Sequence, residues 1–479
     1  MRIRAALVLA MAMAWLIACK HEPPMLADTS NYPDAVSKII IAKCAVAGCH
    51  NDLSKEGAGG LSLETWNRMF EGTRGGAVVI PYRPDYSTLM YYINTDSTRA
   101  PALQPTMPYN TTPLSEAEYN TLKDWIAAGA PDKNGFVKFS DNPQRRKFYA
   151  ANQGCDVATV FDAASMLAMR VVTIGDIPTR SEAPHMIKVA PNNQFYCVSF
   201  IAGSKFQKFS TADNTLVGQV ELGEGSWNTF SFTADSRKAY TTDLEHGNIA
   251  VIDLDAMTVQ IAPFDLKQPH GTALNEKDDT LYITAQTGNF LYKFAADLSG
   301  YKIITVNGQP QSGTSSFDPH EILFSADYSR YYLTCQKSNE VRVMNRANDA
   351  LLAVIPVGGV PQEMGLSKKY PYLFVSCMED LTTFPGRRGS VYVIDYNTNA
   401  IVAKIYTGHQ PHGIAVDDTA GRVYISNRNV SADGPAPHHS SVCGGRNGYI
   451  TAIDLQTLTL VPDFKSEVSV DPYGMGITH

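Results

Sequence analysis

Two cysteines and a histidine carry the clearest chemistry in this chain. Cys44 and Cys49 are separated by Ala45, Val46, Ala47 and Gly48, and His50 follows directly. Two thiols can add to the two vinyl groups of a haem, and a histidine immediately after the second brings its imidazole to the iron from one side. The common form of this motif has a shorter loop between the thiols. Here Gly48 helps the longer loop fold back. The same residues also allow a plainer arrangement, a short-range disulfide beside an incidental histidine.

A second iron ligand needs a soft donor on a restrained backbone. Met107 lies between Pro105 and Pro108, and prolines reduce the entropy lost when a thioether is held in place. Met69 and Met90 sit in helix-like apolar patterns and read first as core. Two helices must frame such a site. Val36 to Lys43 is predicted to deliver the cysteines. Ser115 to Ala128 carries a capping box, with Ser115 as N-cap and Glu118 three residues on, and Gly129 and Pro131 end it. Leu122, Trp125 and Ile126 fall on one face of that helix. Trp66 and Trp125 are expected to line the pocket.

The run from His50 through Gly57 to Gly60, Leu61, Trp66, Gly76 to Pro81, Met90, Pro105 to Pro108 and Leu114 to Pro131 resembles the planctomycete-type cytochrome c domain, also common in Bacteroidetes envelope proteins. The resemblance covers residues 32–134. It implies a small all-α cytochrome c domain, one haem c attached through Cys44 and Cys49, and iron held between His50 and Met107. Such His/Met ligation raises the reduction potential and suits a relay.

After a linker at 135–145 the texture changes to short strands and turns that fill 146–479. A unit recurs every ~40–50 residues, the period of a propeller. It opens on a pair such as Pro184-His185, Pro269-His270, Pro319-His320 or Pro411-His412. A polar turn and strands ending in Asp follow, as at Asp253, Asp395 and Asp454. Units start near Pro184, Trp227, Pro269, Pro319, Pro361 and Pro411. One split unit adds three strands from Arg146 to Gly175 to a closing strand, Pro472 to Thr478. These repeats resemble the YVTN family of seven-bladed β-propellers. The expected fold is therefore multidomain, an all-α cytochrome c domain followed by an all-β seven-bladed propeller closed by the C-terminal strand.

His185, His270, His320 and His412 recur at one repeat position, so they are expected to meet at one end of the central channel, with Trp227, Gln362 and Tyr473 in the corresponding places. Imidazoles brought together can bind a transition metal. The simpler reading is that Pro-His is a routine repeat feature that fixes strand entry. Insertions at Glu379 to Gly389, with Arg387 and Arg388, and at Ser431 to Gly448, with His438, His439 and Cys443, are candidate binding loops on a rigid scaffold. No nucleophile elbow, phosphate loop or dinucleotide fingerprint stands out.

At the N-terminus Arg2 and Arg4 precede an apolar run from Ala5 to Ile17, too short to span a bilayer. It ends in Leu16, Ile17, Ala18 and Cys19, which resembles a bacterial lipobox. That implies cleavage after residues 1–18, lipidation of Cys19, a tether over 19–31 and an anchor in the cell envelope, facing the periplasm or the surface. The chain has 479 residues, 44% hydrophobic and 18% charged, enough for large cores, and 35 Gly with 27 Pro suit many turns. A net charge of −7 without a basic cluster argues against nucleic acid as a partner. Of the later cysteines, Cys197, Cys335 and Cys377 lie in strand-like runs and read as small buried hydrophobes. Cys155 and Cys443 lie elsewhere, and no pairing is assigned among the five. Together these features lead us to expect an anchored c-type cytochrome that passes electrons to a partner protein in the envelope, with the propeller as a docking or accessory redox module. Two alternatives remain: a surface-binding propeller lipoprotein with no essential redox role, and an oxidoreductase with a metal in the propeller channel.

Overall fold

The computed structural model describes residues 29–99, 101–430, 443 and 447–479. The signal, Cys19 and most of the tether lie outside the described residues, as do His438 and His439. Among the described residues four α-helices come first, at Asp34–Lys43, Trp66–Met69, Thr88–Ile93 and Glu116–Ala127. The first begins two residues before the predicted Val36. Pro33 occupies its N-cap and Asp34 its first turn, where a negative charge meets the positive end of the helix dipole. The last has the predicted capping box, with Ser115 and Glu118 satisfying each other's backbone N–H groups. It packs on the first helix, where Lys43 reaches Glu118 at 2.6 Å. Tyr32 meets Trp125 edge-on at 6.1 Å between ring centres.

Beyond Lys147 the described chain forms seven four-stranded antiparallel sheets, the blades of a propeller. Each inner strand opens a blade, at Pro184–Val189, Trp227–Phe232, Pro269–Leu274, Pro319–Phe324, Pro361–Leu366 and Pro411–Asp417. The first blade is shared between the two ends of the chain. Its strands Lys147–Asn152, Val157–Asp162 and Ala168–Thr173 are completed by Pro472–Ile477, which pairs Phe148 with Ile477 and Ala150 with Met475. Closing the ring removes sheet edges that would otherwise recruit other strands. Neighbouring inner strands approach closely. A Cβ at Gly474 would lie 2.6 Å from the His185 carbonyl oxygen, so this strand needs glycine there.

Cys155 and Cys443 form a disulfide, joining the first blade to the insertion of the last. Cys197, Cys335 and Cys377 are free and buried, as their strand positions predict. Helices and propeller share one core: Tyr32, Trp66, Phe70, Trp125 and Phe139 belong to the same buried cluster as Tyr149, Tyr196 and Phe209. Polar contacts reinforce it. Glu467 N–H donates to the Gly75 carbonyl at 3.0 Å, and Arg83 Nη1 donates to the Val171 carbonyl at 3.0 Å. Gly76 has φ +103°, and a Cβ there would meet Ser466 Oγ at 2.6 Å. A side chain at Gly76 would force the helical domain away from the last blade.

Candidate functional site

Cys44 caps the first helix, so that helix sets the origin of the cysteine loop. The Cys44 N–H bonds to the Ile40 carbonyl at 2.9 Å, and the His50 N–H returns to the Cys44 carbonyl at 3.1 Å. The loop thus closes on itself and brings His50 back beside Cys44. Both thiols are free, Cys44 buried and Cys49 half-buried. Burial, and then the neighbouring Cys49, pushes the Cys44 thiol up to about 11. His50 is held below its ordinary value chiefly by burial, which the adjoining Leu61 backbone partly offsets. Its Nδ1 is buried with no hydrogen-bond partner. A neutral imidazole and two unpaired thiols in one short loop suit covalent haem attachment, and they are not joined as the short-range disulfide.

Met107 lies in the loop before the last helix, and its N–H bonds to the Tyr92 carbonyl at 2.8 Å. Its half-buried side chain packs, with Ala45 and Leu103, against the same core that holds Cys44. Met69 and Met90 are buried inside short helices, where their packing leaves no reason to invoke a ligand. Trp66 and Trp125 are anchored through their indole N–H groups, to the Ala130 carbonyl at 2.8 Å and the Pro131 carbonyl at 2.9 Å. These bonds fix the turn that ends the last helix.

The four repeat histidines do converge, in a packed girdle. His270 stacks on His320 at 3.9 Å between ring centres, and His185 meets His270 edge-on at 5.8 Å. Tyr473 of the closing strand is held between His412 at 3.6 Å and His185 at 4.2 Å. Arg428 covers Tyr473 at 4.5 Å and is gripped by both oxygens of Asp471 at 2.6 and 2.9 Å. His270 Nδ1 donates to the His320 carbonyl at 3.2 Å. Rings stacked face to face do not aim their lone pairs at a common point. Among the described residues no group of three or more His, Cys, Asp or Glu is placed to hold a metal. The possible metal site at His185, His270, His320 and His412 is therefore corrected to an aromatic girdle in which His270 and His320 stack and the other ring contacts are edge-on or tilted. One ring position is also corrected. Trp227 pairs with Asp243 as Pro269 does with Ala285, so Trp227 stands in the proline's place and Asn228 in the histidine's.

Sequence reasoning missed two acids beside this girdle. Glu321 and Glu363 directly follow His320 and Gln362, and both are buried. Glu363 Oε1 lies 3.6 Å from His412 Nδ1. Burial, then the Glu321 carboxyl, pushes Glu363 up to about 8, with Lys188 pulling the other way. Burial likewise raises Glu321. Burial holds all four histidines low, His270 at about 4, with the neighbouring rings, Arg428 and Lys188 adding to the effect.

The two sets act in opposite directions on stability. Unfolding exposes imidazoles that take up protons below pH ~6.5, so the histidine contribution is present above that pH and lost as pH falls. The glutamates hold protons when folded and release them on unfolding above pH ~4.3. Their contribution is present at low pH and is lost as pH rises towards about 8. The cluster is expected to give a stability maximum near pH ~6.5. Glu363→Gln should flatten the alkaline side, removing roughly 1 kcal/mol of loss per pH unit. Urea unfolding between pH 5 and pH 9 checks this, and identical alkaline slopes in the two proteins would contradict it.

A family model described as planctomycete cytochrome C matches residues 47–100. The match includes Cys49 and His50 and stops short of Cys44 and Met107. No curated protein sequence matches. Among solved structures, a functionally unknown protein from Desulfotomaculum acetoxidans has 14% identity and a TM-score of 0.53, over 70% of this chain and 99% of that one. A candidate 6-phosphogluconolactonase from Bacteroides fragilis has 13% identity and a TM-score of 0.51, over 72% and 100%. At such identities the likeness is one of propeller fold. The dihydro-haem d1 dehydrogenase NirN, at 13% identity, covers 85% of this chain and 94% of its own with a TM-score of 0.49.

Proposed function

We propose that this chain is an envelope-anchored electron carrier with one covalently bound haem c. The observation that carries the reading is the closed loop in which Cys44 and Cys49 stay unpaired beside the half-buried His50, whose Nδ1 has no hydrogen-bond partner, the last two of these residues lying inside the cytochrome match. When bound, the haem supplies a one-electron couple. Cys44 and Cys49 would hold it, each S–H adding across a vinyl group to form a C–S bond. His50 and Met107 would face the iron. Ala45 and Leu103, like Met107, pack against the core that holds Cys44, and an apolar surround of this kind excludes water and favours the reduced state. Lipidation of Cys19 would tether the carrier in the bacterial envelope, where a protein partner takes or gives the electron. The propeller serves as a rigid base for the haem domain, because the two share a core.

Haem staining of a denaturing gel and a reduced-minus-oxidised spectrum test this. Protein expressed with a haem-attachment system should stain and show a reducible band. Cys44→Ala with Cys49→Ala should lose the stain completely. Folded, colourless wild type whose mass shows Cys44 joined to Cys49 would overturn the reading.

A further inference from the structure

The insertion Glu379 to Gly389 belongs to the sixth blade, which opens at Pro361, and builds a cationic surface there. Asp380 is buried beneath it and holds it in shape. Its carboxylate accepts from the Thr382 and Thr383 N–H groups at 3.0 and 3.1 Å and from the Ser390 hydroxyl at 2.6 Å. The loop is tied to two tyrosines of its blade. Thr383 Oγ1 shares a hydrogen bond with the Tyr392 hydroxyl at 2.8 Å, and Phe384 meets Tyr406 at 6.1 Å between ring centres. A cation lies on each tyrosine: Lys404 is 4.9 Å from the centre of the Tyr392 ring, and Arg387 is 5.0 Å from that of Tyr406. The last blade adds a third, Lys465, 4.1 Å from the centre of the Tyr449 ring. The Tyr449 hydroxyl accepts from the His409 N–H at 3.0 Å, just beyond Tyr406. Burial raises the Tyr406 and Tyr449 phenols, and Arg387 opposes it at both. This chain of contacts puts Arg387, Lys404 and Lys465 on one face, where the sixth and last blades meet. Among the described residues none of the three pairs with a carboxylate, whereas the adjoining Arg388 is held by Glu379 at 2.5 Å. Burial lowers the Lys465 ammonium, and Glu467 offsets this from beyond ion-pair distance. Arg387 and Lys404 are exposed.

We propose that this face binds a short acidic segment of a protein partner, whose carboxylates meet Arg387, Lys404 and Lys465. A cation drawn onto an aromatic ring is already held against the surface, so it loses little freedom when an anion arrives. No carboxylate of the chain has to be displaced first. Cations spread over two blades call for several negative charges spaced along one chain, not for a single small ion. Arginine and tyrosine are also the side chains that protein contacts favour. The whole chain carries a net charge of −7, which repels a long polyanion as it runs on across the surface. A short segment stays within the Debye length of ~8–10 Å, where the local positive charge governs.

The test is fluorescence anisotropy of a fluorescein-labelled oligoglutamate peptide titrated with the full chain in detergent. The peptide should bind at ~0.1 M salt and weaken at least about tenfold at ~1 M, where the Debye length falls from ~10 to ~3 Å. Arg387→Glu with Lys404→Glu should weaken binding about tenfold at an unchanged melting temperature. Arg387→Gln with Lys404→Gln removes charge without reversing it and should cost about threefold, which keeps the test open if the reversal disturbs folding. Arg237→Glu with Lys277→Glu makes the same charge change at exposed positions on the third and fourth blades and should stay within about twofold of wild type. Absence of wild-type binding at ~0.1 M salt, or full affinity in Arg387→Glu with Lys404→Glu, overturns the proposal. Equal weakening in the two charge-reversed doubles also overturns it, because net charge alone then explains the effect. So does tighter binding of heparin or of phosphatidylglycerol vesicles through Arg387 and Lys404, which assigns the face to a sulfated glycan or to lipid. Binding is read without haem, so the outcome is independent of the redox reading.

Discussion

Met107→Ala is expected to keep the covalent haem stain and to lower the midpoint potential by on the order of 0.1 V, a fraction of the ~0.8 V range that axial ligands command. On the proposed haem a thioether would be a soft, neutral donor that favours the reduced iron, and its loss would open the position to water or a harder ligand. The backbone at Met107 is fixed by its bond to Tyr92, so the change should act at the iron without freeing the loop. Truncating a half-buried methionine should cost only about 1–2 kcal/mol of stability, well below what unfolds a domain. Met90→Leu is the control. Met90 is buried in the helix Thr88–Ile93, and a volume-conserving swap there should leave spectrum and potential alone. Redox titration of the two variants beside wild type decides the assignment. An unmoved potential in Met107→Ala would transfer the ligand role to another residue.

How far the sequence carried these conclusions depended on how local each feature is. The cysteine loop, Met107 between its prolines and the capping box at Ser115 are short-range patterns, and the capping box forms as its spacing predicts. The blades were legible for a related reason. Each repeats an inner strand, and the Pro-His pair marks its start in four of them. The third blade broke that marker. Trp227 is large and apolar and reads as a ring member, yet strand register puts it one place earlier, in a core cluster with Phe206 and Phe230. The packing mode of the histidines was beyond any repeat pattern. Periodicity brings His185, His270, His320 and His412 to one end of the channel, but whether imidazoles point nitrogens or faces at one another depends on Tyr473 arriving from the far end of the chain. Glu321 and Glu363 carried a weak signal, since they replace the glycine that follows His270 and His412. The shared core between Phe139 and Tyr149 left no sequence trace, because each side reads as an ordinary buried aromatic of its own domain.

One covalent long-range link is also expected to be a strong determinant of stability. The Cys155–Cys443 disulfide spans a sequence separation of 288. In the chain-entropy account, closing so long a loop restricts the unfolded ensemble by about 5 kcal/mol. It also crosses the seam between first and last blades, which is otherwise held by strand pairing and a few bonds. Gln153 N–H donates to the Asp471 carbonyl at 2.8 Å and Gly154 N–H to the Val470 carbonyl at 3.2 Å, while Arg428 grips Asp471 from the last blade. Those contacts keep the native ring closed when the bond is cut, so Cys443→Ser should fold and keep its haem. It should melt lower by on the order of 10 °C, since roughly 2–4 °C accompanies each kcal/mol in a domain of ~200 residues. Cys155→Ser and the double variant should match it, because all three remove one and the same link. Reductant should bring wild type to that melting point and leave the variants unmoved. Equal melting of oxidised and reduced wild type would show that the closing strand alone secures the seam, and that the disulfide constrains only the insertion that carries Cys443.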